Sequence, residues 1–142
     1  MRAFRIALFI AAAALMWFGA ATYTLVVVPD LHGDLVEIGV RPTVLGGTVI
    51  HLYFAAFAMF GFAAMVSAAA IQAVRRGEPA PLPLAIVAVT YIGFGAMAFG
   101  RSHNPHHLGP VVMGVLLAAA LMIPASTGSP SERQLPSGMA DG

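Results

Sequence analysis

The chain contains no cysteine and no lysine, and charged residues make up only 9% of its 142 positions. Without cysteine there is no disulfide, no thiolate nucleophile and no Cys-ligated metal or iron–sulfur centre. Any metal has to be held by His, Met or oxygen. A net charge of +1 with no basic run argues against a nucleic-acid partner. No P-loop, G-x-S-x-G, H-E-x-x-H or dinucleotide fingerprint occurs. The apolar stretches hold no Asp, Glu or Arg at their centres, which argues against a pump built on carboxylates.

What is abundant is apolar. Hydrophobic residues are 59% of the chain, and the mean hydropathy is +0.86. A soluble domain carries about a quarter charged residues, so this is membrane composition. Four apolar stretches stand out, about 6–28, 47–74, 83–100 and 108–125. About 20 apolar residues cross the hydrocarbon core. Lipid leaves peptide groups no external partner, and period-2 alternation is absent, so the spans are expected to be helices. The fold expected is all-α: an integral membrane four-helix bundle running up-down-up-down over 1–125. A Ser/Pro/Gly-rich tail, 126–142, is expected to be disordered and cytoplasmic.

Arg2 and Arg5 precede the first apolar run, and "GAA" at 19–21 looks like a signal-peptidase site. The run continues to Val28, too long for a typical signal peptide, so it reads as a span. In a four-span model Arg2, Arg5, Arg75, Arg76 and Arg133 share one side, and Arg41 and Arg101 the other. The richer side is expected to be cytoplasmic. Both termini then face the cytoplasm of a cell inner membrane, and the loops 29–46 and 101–107 lie outside. Small-xxx-small pairs, Ala96 with Gly100 and Gly114 with Ala118, are expected to let helix backbones approach closely.

The five histidines all fall on the outer side of that model, at similar depth. His32 lies in the first loop, His51 at the outer end of the second span, and His103, His106 and His107 in "HNPHHLGP". His51 sits between "GGTVI" and "LYFAAF". An ionisable group there is expected either to face the bundle interior and mark a site, or to be a structural polar residue bonding a neighbouring helix or an outer-loop carboxylate. Pro105 and Pro110 make the three-histidine segment a rigid turn that caps the fourth helix. Imidazole ligates haem iron, copper and zinc, so His51, His103, His106 and His107 are candidate metal ligands. The proposed pairing is His51 with His107 across the outer ends of helices two and four. Arg101 ends the third span and could pair with a haem propionate, a loop carboxylate or a lipid phosphate. Tyr91, near mid-span, needs a partner for its hydroxyl, either a substrate or a backbone carbonyl. Met97 and Met113 near the histidines bring copper into consideration, although Met is also ordinary filler. Asp30, Asp34 and Glu37 make the first loop acidic and could orient imidazoles, or be simply solvated.

The layout resembles styrene oxide isomerase and similar small four-helix membrane haem proteins. Length and span count, a His near the outer end of helix two in "GGTVIHLYF", and helix three ending "YIGFGAMAFGRSHNP" carry the resemblance over most of the membrane region. The family places its haem His before helix two and follows it with a helix-two Asn, and "GVRPTVLGGTVIHLYF" has neither so placed. The resemblance implies haem b, with His51 as ligand in a rearranged site, and a Lewis-acid isomerase. From the residues alone, the leading expectation is an outer histidine layer binding haem or a transition metal such as copper, with His51, His107, Tyr91 and Arg101 about the cofactor. The alternatives are a structural or accessory membrane protein without cofactor, and a haem-dependent isomerase. The expected partners are the lipid bilayer and a homo-oligomer or larger membrane complex.

Overall fold

A computed structural model describes residues 1–75 and 77–124. The 126–142 tail, Arg76 and Arg133 lie outside the described residues. Helix α1 (Arg2–Thr22) passes through a π-helical turn (Tyr23–Val27) into α2 (Val28–Glu37). Together they make one rod of 36 residues. After a short turn comes α3 (Pro42–Val74), then α4 (Pro81–Ser102), a 3-10 turn (Pro105–His107) and α5 (Leu108–Met122). Among the described residues there is no strand. Four helical segments are long and apolar enough to cross a membrane, so the chain is an all-α four-helix bundle and a multi-pass membrane protein.

The first expected loop, 29–46, is largely helix. Pro29 cannot donate to the carbonyl four residues back, and its ring crowds that carbonyl. The π-helical turn immediately before it widens the backbone there. The helix therefore continues to Glu37, and the chain reverses only around Gly39, which takes a left-handed φ of 73°. Arg41, extended at ψ 135°, precedes Pro42 at the start of α3.

Helix α1 packs against α3 on one side and α5 on the other, and α4 packs along α5. Helices α3 and α4 meet over only a short stretch, and α3 does not reach α5. The core is thin. Phe9, Met16, Val66, Leu84, Val87, Tyr91 and Leu117 are its large side chains, and alanines fill most of the rest. Large apolar groups such as Phe18, Phe54, Phe57 and Val89 point outward, as a lipid-facing surface requires. The closest packing is between α4 and α5. A Cβ at Gly114 would lie 2.7 Å from the Ala88 carbonyl oxygen, and one at Gly95 would lie 2.9 Å from that of His107. Glycine is what allows these backbones to touch. The expected partners in this packing, Ala96 and Gly100, instead lie on the exposed side of α4.

The two N-terminal arginines bring the helix ends level. Arg2 Nη2 donates to the carbonyls of Ala73 (3.2 Å) and Val74 (3.0 Å) at the end of α3. Arg5 Nε donates to Ala120 O (3.2 Å) near the end of α5, and its Nη1 lies 3.3 Å from Glu78 Oε2. A guanidinium suits a helix C-terminus because the last carbonyls lack intrahelical donors and carry the negative end of the helix dipole. From this arginine end the helices differ in reach. At 1.5 Å per residue α4 extends about 33 Å, α3 about 50 Å and the α1–α2 rod about 54 Å. The hydrocarbon core is about 30 Å thick, so the α2–α3 tip stands clear of it. That tip carries Asp30, His32, Asp34, Glu37 and Arg41, all exposed.

Candidate functional site

The histidines lie at the end opposite the arginines, but not in one layer. His51 is 23 residues from the end of α3, about 35 Å from the arginine end. The His107 carbonyl packs against Gly95, only about 21 Å up α4. His32 is higher still, about 45 Å along the rod. The expectation of similar depth is therefore corrected. It assumed equal spans, whereas α5 is 15 residues long and α3 is 33.

His51 also faces away from the bundle. Its side chain is exposed, which corrects the expectation that it faces the bundle interior. The inward face of α3 is set by Ala56, Ala63, Val66 and Ala70, and His51 lies to one side of that stripe. Nor do His51 and His107 meet. No Cα of α3 comes within 8 Å of one in α5 or in the 105–107 turn, among the described residues. Among those residues no three His, Asp or Glu side chains gather as a metal group. Among the described residues, His51, His103, His106 and His107 are not gathered into one group of three or more ligands.

The 103–107 segment is built as a turn. His103 takes a left-handed φ of 53° and caps α4 through its N–H to Phe99 O at 2.7 Å. Asn104 Oδ1 accepts from the His106 N–H at 3.0 Å, and the Ser102 hydroxyl accepts from the Asn104 N–H at 3.2 Å. These bonds account for the Ser and Asn of the motif. His103 and His106 are exposed, and His107 is half-buried. Arg101 is exposed in the last turn of α4. Met113 packs in the bundle, its methyl carbon 3.0 Å from where a Gly19 Cβ would sit, and Met97 is exposed. Among the described residues the only ion pair is Arg5 with Glu78, so no carboxylate of the α2 tip is ion-paired to a histidine.

One imidazole has a defined chemical state. The Nδ1 of His51 lies 2.6 Å from the Gly47 carbonyl oxygen, one helical turn earlier. A carbonyl can only accept, so Nδ1 carries the hydrogen. In the neutral ring the lone pair is then on Nε2, and Nε2 is the atom available to a ligand. This is the arrangement metal-bound histidines adopt, with the second nitrogen donating to a carbonyl or carboxylate. The sequence contained the signal, a Gly four residues before a His, but the bond was not anticipated. On one side of it stands the exposed Phe54 ring, three residues on, and towards Gly46 and Gly47 the surface is bare. A Cβ on Gly46 or Gly47 would meet nothing within 4 Å. Ala55 and Ala58 lie one and two turns further along, where helical spacing puts them on the His51 side.

Tyr91 presents a second anomaly. It is 6% exposed, its ring meets Phe62 edge-on at 6.1 Å, and its hydroxyl has no hydrogen-bond partner. The backbone carbonyl that would be the ordinary partner is not supplied. A buried unsatisfied hydroxyl costs about 1–3 kcal/mol.

No family model, no characterised protein and no solved structure matches this chain.

Proposed function

We propose that the chain is a small inner-membrane haem protein that holds haem b through His51 Nε2. The observation that carries this reading is the Nδ1 bond to Gly47, which orients the ring and leaves the lone pair of the neutral ring on Nε2 of an exposed residue. A bare copper or zinc ion needs three or four protein ligands, and no such group forms among the described residues. Haem brings four equatorial nitrogens of its own, so a single well-oriented imidazole suffices. Gly47, Ala55 and Ala58 are small residues on this side and would leave room for a planar group against the exposed Phe54 ring. When bound, an iron with one imidazole keeps an open position for a further ligand. Tyr91, about 15 Å up α4 and about 20 Å below His51, would take no part in holding the haem. Arg101 would pair with an anionic group at the polar boundary. The arginine end would be cytoplasmic, following the arginine asymmetry.

A specific observation favours the accessory-protein reading as the second. His51 is near the height at which α4 leaves the bilayer, where Nε2 could be satisfied by water and headgroups alone. Purification after expression with haem precursor separates the two. The proposal predicts a protein with Soret absorbance, lost in His51→Ala at unchanged membrane insertion and helix content, and kept in His107→Ala and His32→Ala. A colourless wild type supports the accessory reading.

A further inference from the structure

We infer that the arginine end carries a binding site for one anionic phospholipid, in the cleft between α3 and α4. This inference is independent of the haem proposal, since it concerns the opposite end of the molecule.

The cleft is a cavity of about 160 Å³, open to one side, between the last turns of α3 and the start of α4. Met65, Ala68, Ala69, Pro83 and Leu84 give it apolar walls, and Gln72 is its polar group. Met65 and Ala68 are exposed on the lipid-facing side, so an acyl chain enters sideways from the bilayer. The walls hold their shape. Pro79, Pro81 and Pro83 stiffen one, and the α3 terminus is closed by the Gly77 N–H donating to Gln72 O at 2.9 Å.

Cationic groups stand at the α3 terminus beyond the cleft: Arg2 on the last α3 carbonyls and Arg75 at the α3 C-cap. Arg2, Arg5 and Arg75 gather at this end, and the carboxylate in the group, Glu78, is engaged by Arg5. Arg75 is exposed and lies three residues beyond Gln72, the spacing of neighbours on a helix surface. Arg2 uses Nη2 on the α3 carbonyls, which leaves other guanidinium N–H groups for a phosphate. The chemistry selected is an apolar tail continuous with a phosphodiester carrying net negative charge. A zwitterionic headgroup gains less, because its ammonium finds no unengaged carboxylate among the described residues of this end. A second copy, side by side in the membrane, would bring like charges together. Arginines near the membrane surface favour anionic lipid.

The test uses the purified, delipidated full chain in detergent, with thermal unfolding followed by circular dichroism. Micelles are doped with phosphatidylglycerol or phosphatidylcholine, or inorganic phosphate is added. Phosphatidylglycerol should raise Tm by several degrees, and phosphatidylcholine and phosphate should not. Arg75→Gln and Ala68→Phe, both at exposed positions, should keep the lipid-free Tm and lose most of that rise. Native mass spectrometry should show one phosphatidylglycerol per chain. Equal shifts from both lipids, a shift from phosphate alone, or an undiminished shift in both variants would overturn the proposal. So would a lipid-free dimer as the stabilised species, which would assign the cleft to a second copy.

Discussion

At Gly114 a methyl group has no room: its position is 2.7 Å from both the Ala88 carbonyl oxygen and Ile92 Cγ1. Gly114→Ala must therefore push α4 away from α5. Overpacking of this kind costs about 1–3 kcal/mol. Gly61→Ala, with nothing within 4 Å, should be neutral or gain up to about 1 kcal/mol from helix propensity. Unfolding of the two variants in mixed detergent checks the contrast, and equal stabilities would show that the α4–α5 contact is looser than described. The importance of small residues was readable from the sequence; which of them do the packing was not. Gly114 and the nearby Gly95 are used, whereas Ala96 and Gly100 point outward. The same ambiguity misplaced His51. Helix α3 is apolar nearly all round, so no polar stripe marks its outer face, and only the packed structure shows which side meets α1. The His51 bond to Gly47 required no such knowledge, since an i, i−4 pair shares one side of any helix.

The helices themselves were legible, because a run of about 20 apolar residues has few alternatives in lipid. Their ends were not. Pro29 and the acidic residues after it signal a loop, but the π-helical turn absorbs the proline, and Asp30, Asp34 and Glu37 recur at near-helical spacing. The resulting α2 extends the first rod beyond the bilayer. That extension has a direct consequence for labelling, made easy by a chain without cysteine. Glu37→Cys should react in intact cells with a membrane-impermeant maleimide, and Gly77→Cys only after permeabilisation. Protection of Glu37→Cys would place the α2 tip within the membrane or on the cytoplasmic side. The arginine caps were equally unreadable, since nothing local pairs Arg2 with Ala73 across 71 positions.

The molecule as a whole is a thin, alanine-filled bundle with two unlike ends. One end is tied by Arg2 and Arg5 to the termini of α3 and α5. At the other, α3 stands higher than α4 and α5 and presents an exposed imidazole of fixed tautomer. The account rests on that imidazole acting as an iron ligand rather than as a surface group. Rescue by free imidazole tests this most directly, because it separates ligation from folding. Wild-type protein titrated with haem in detergent should develop a Soret band with one haem per chain. His51→Gly should develop none until millimolar imidazole is added, and should then recover the wild-type spectrum. A variant that binds haem identically without imidazole, or a wild type that binds none while retaining full helix content, would contradict the account.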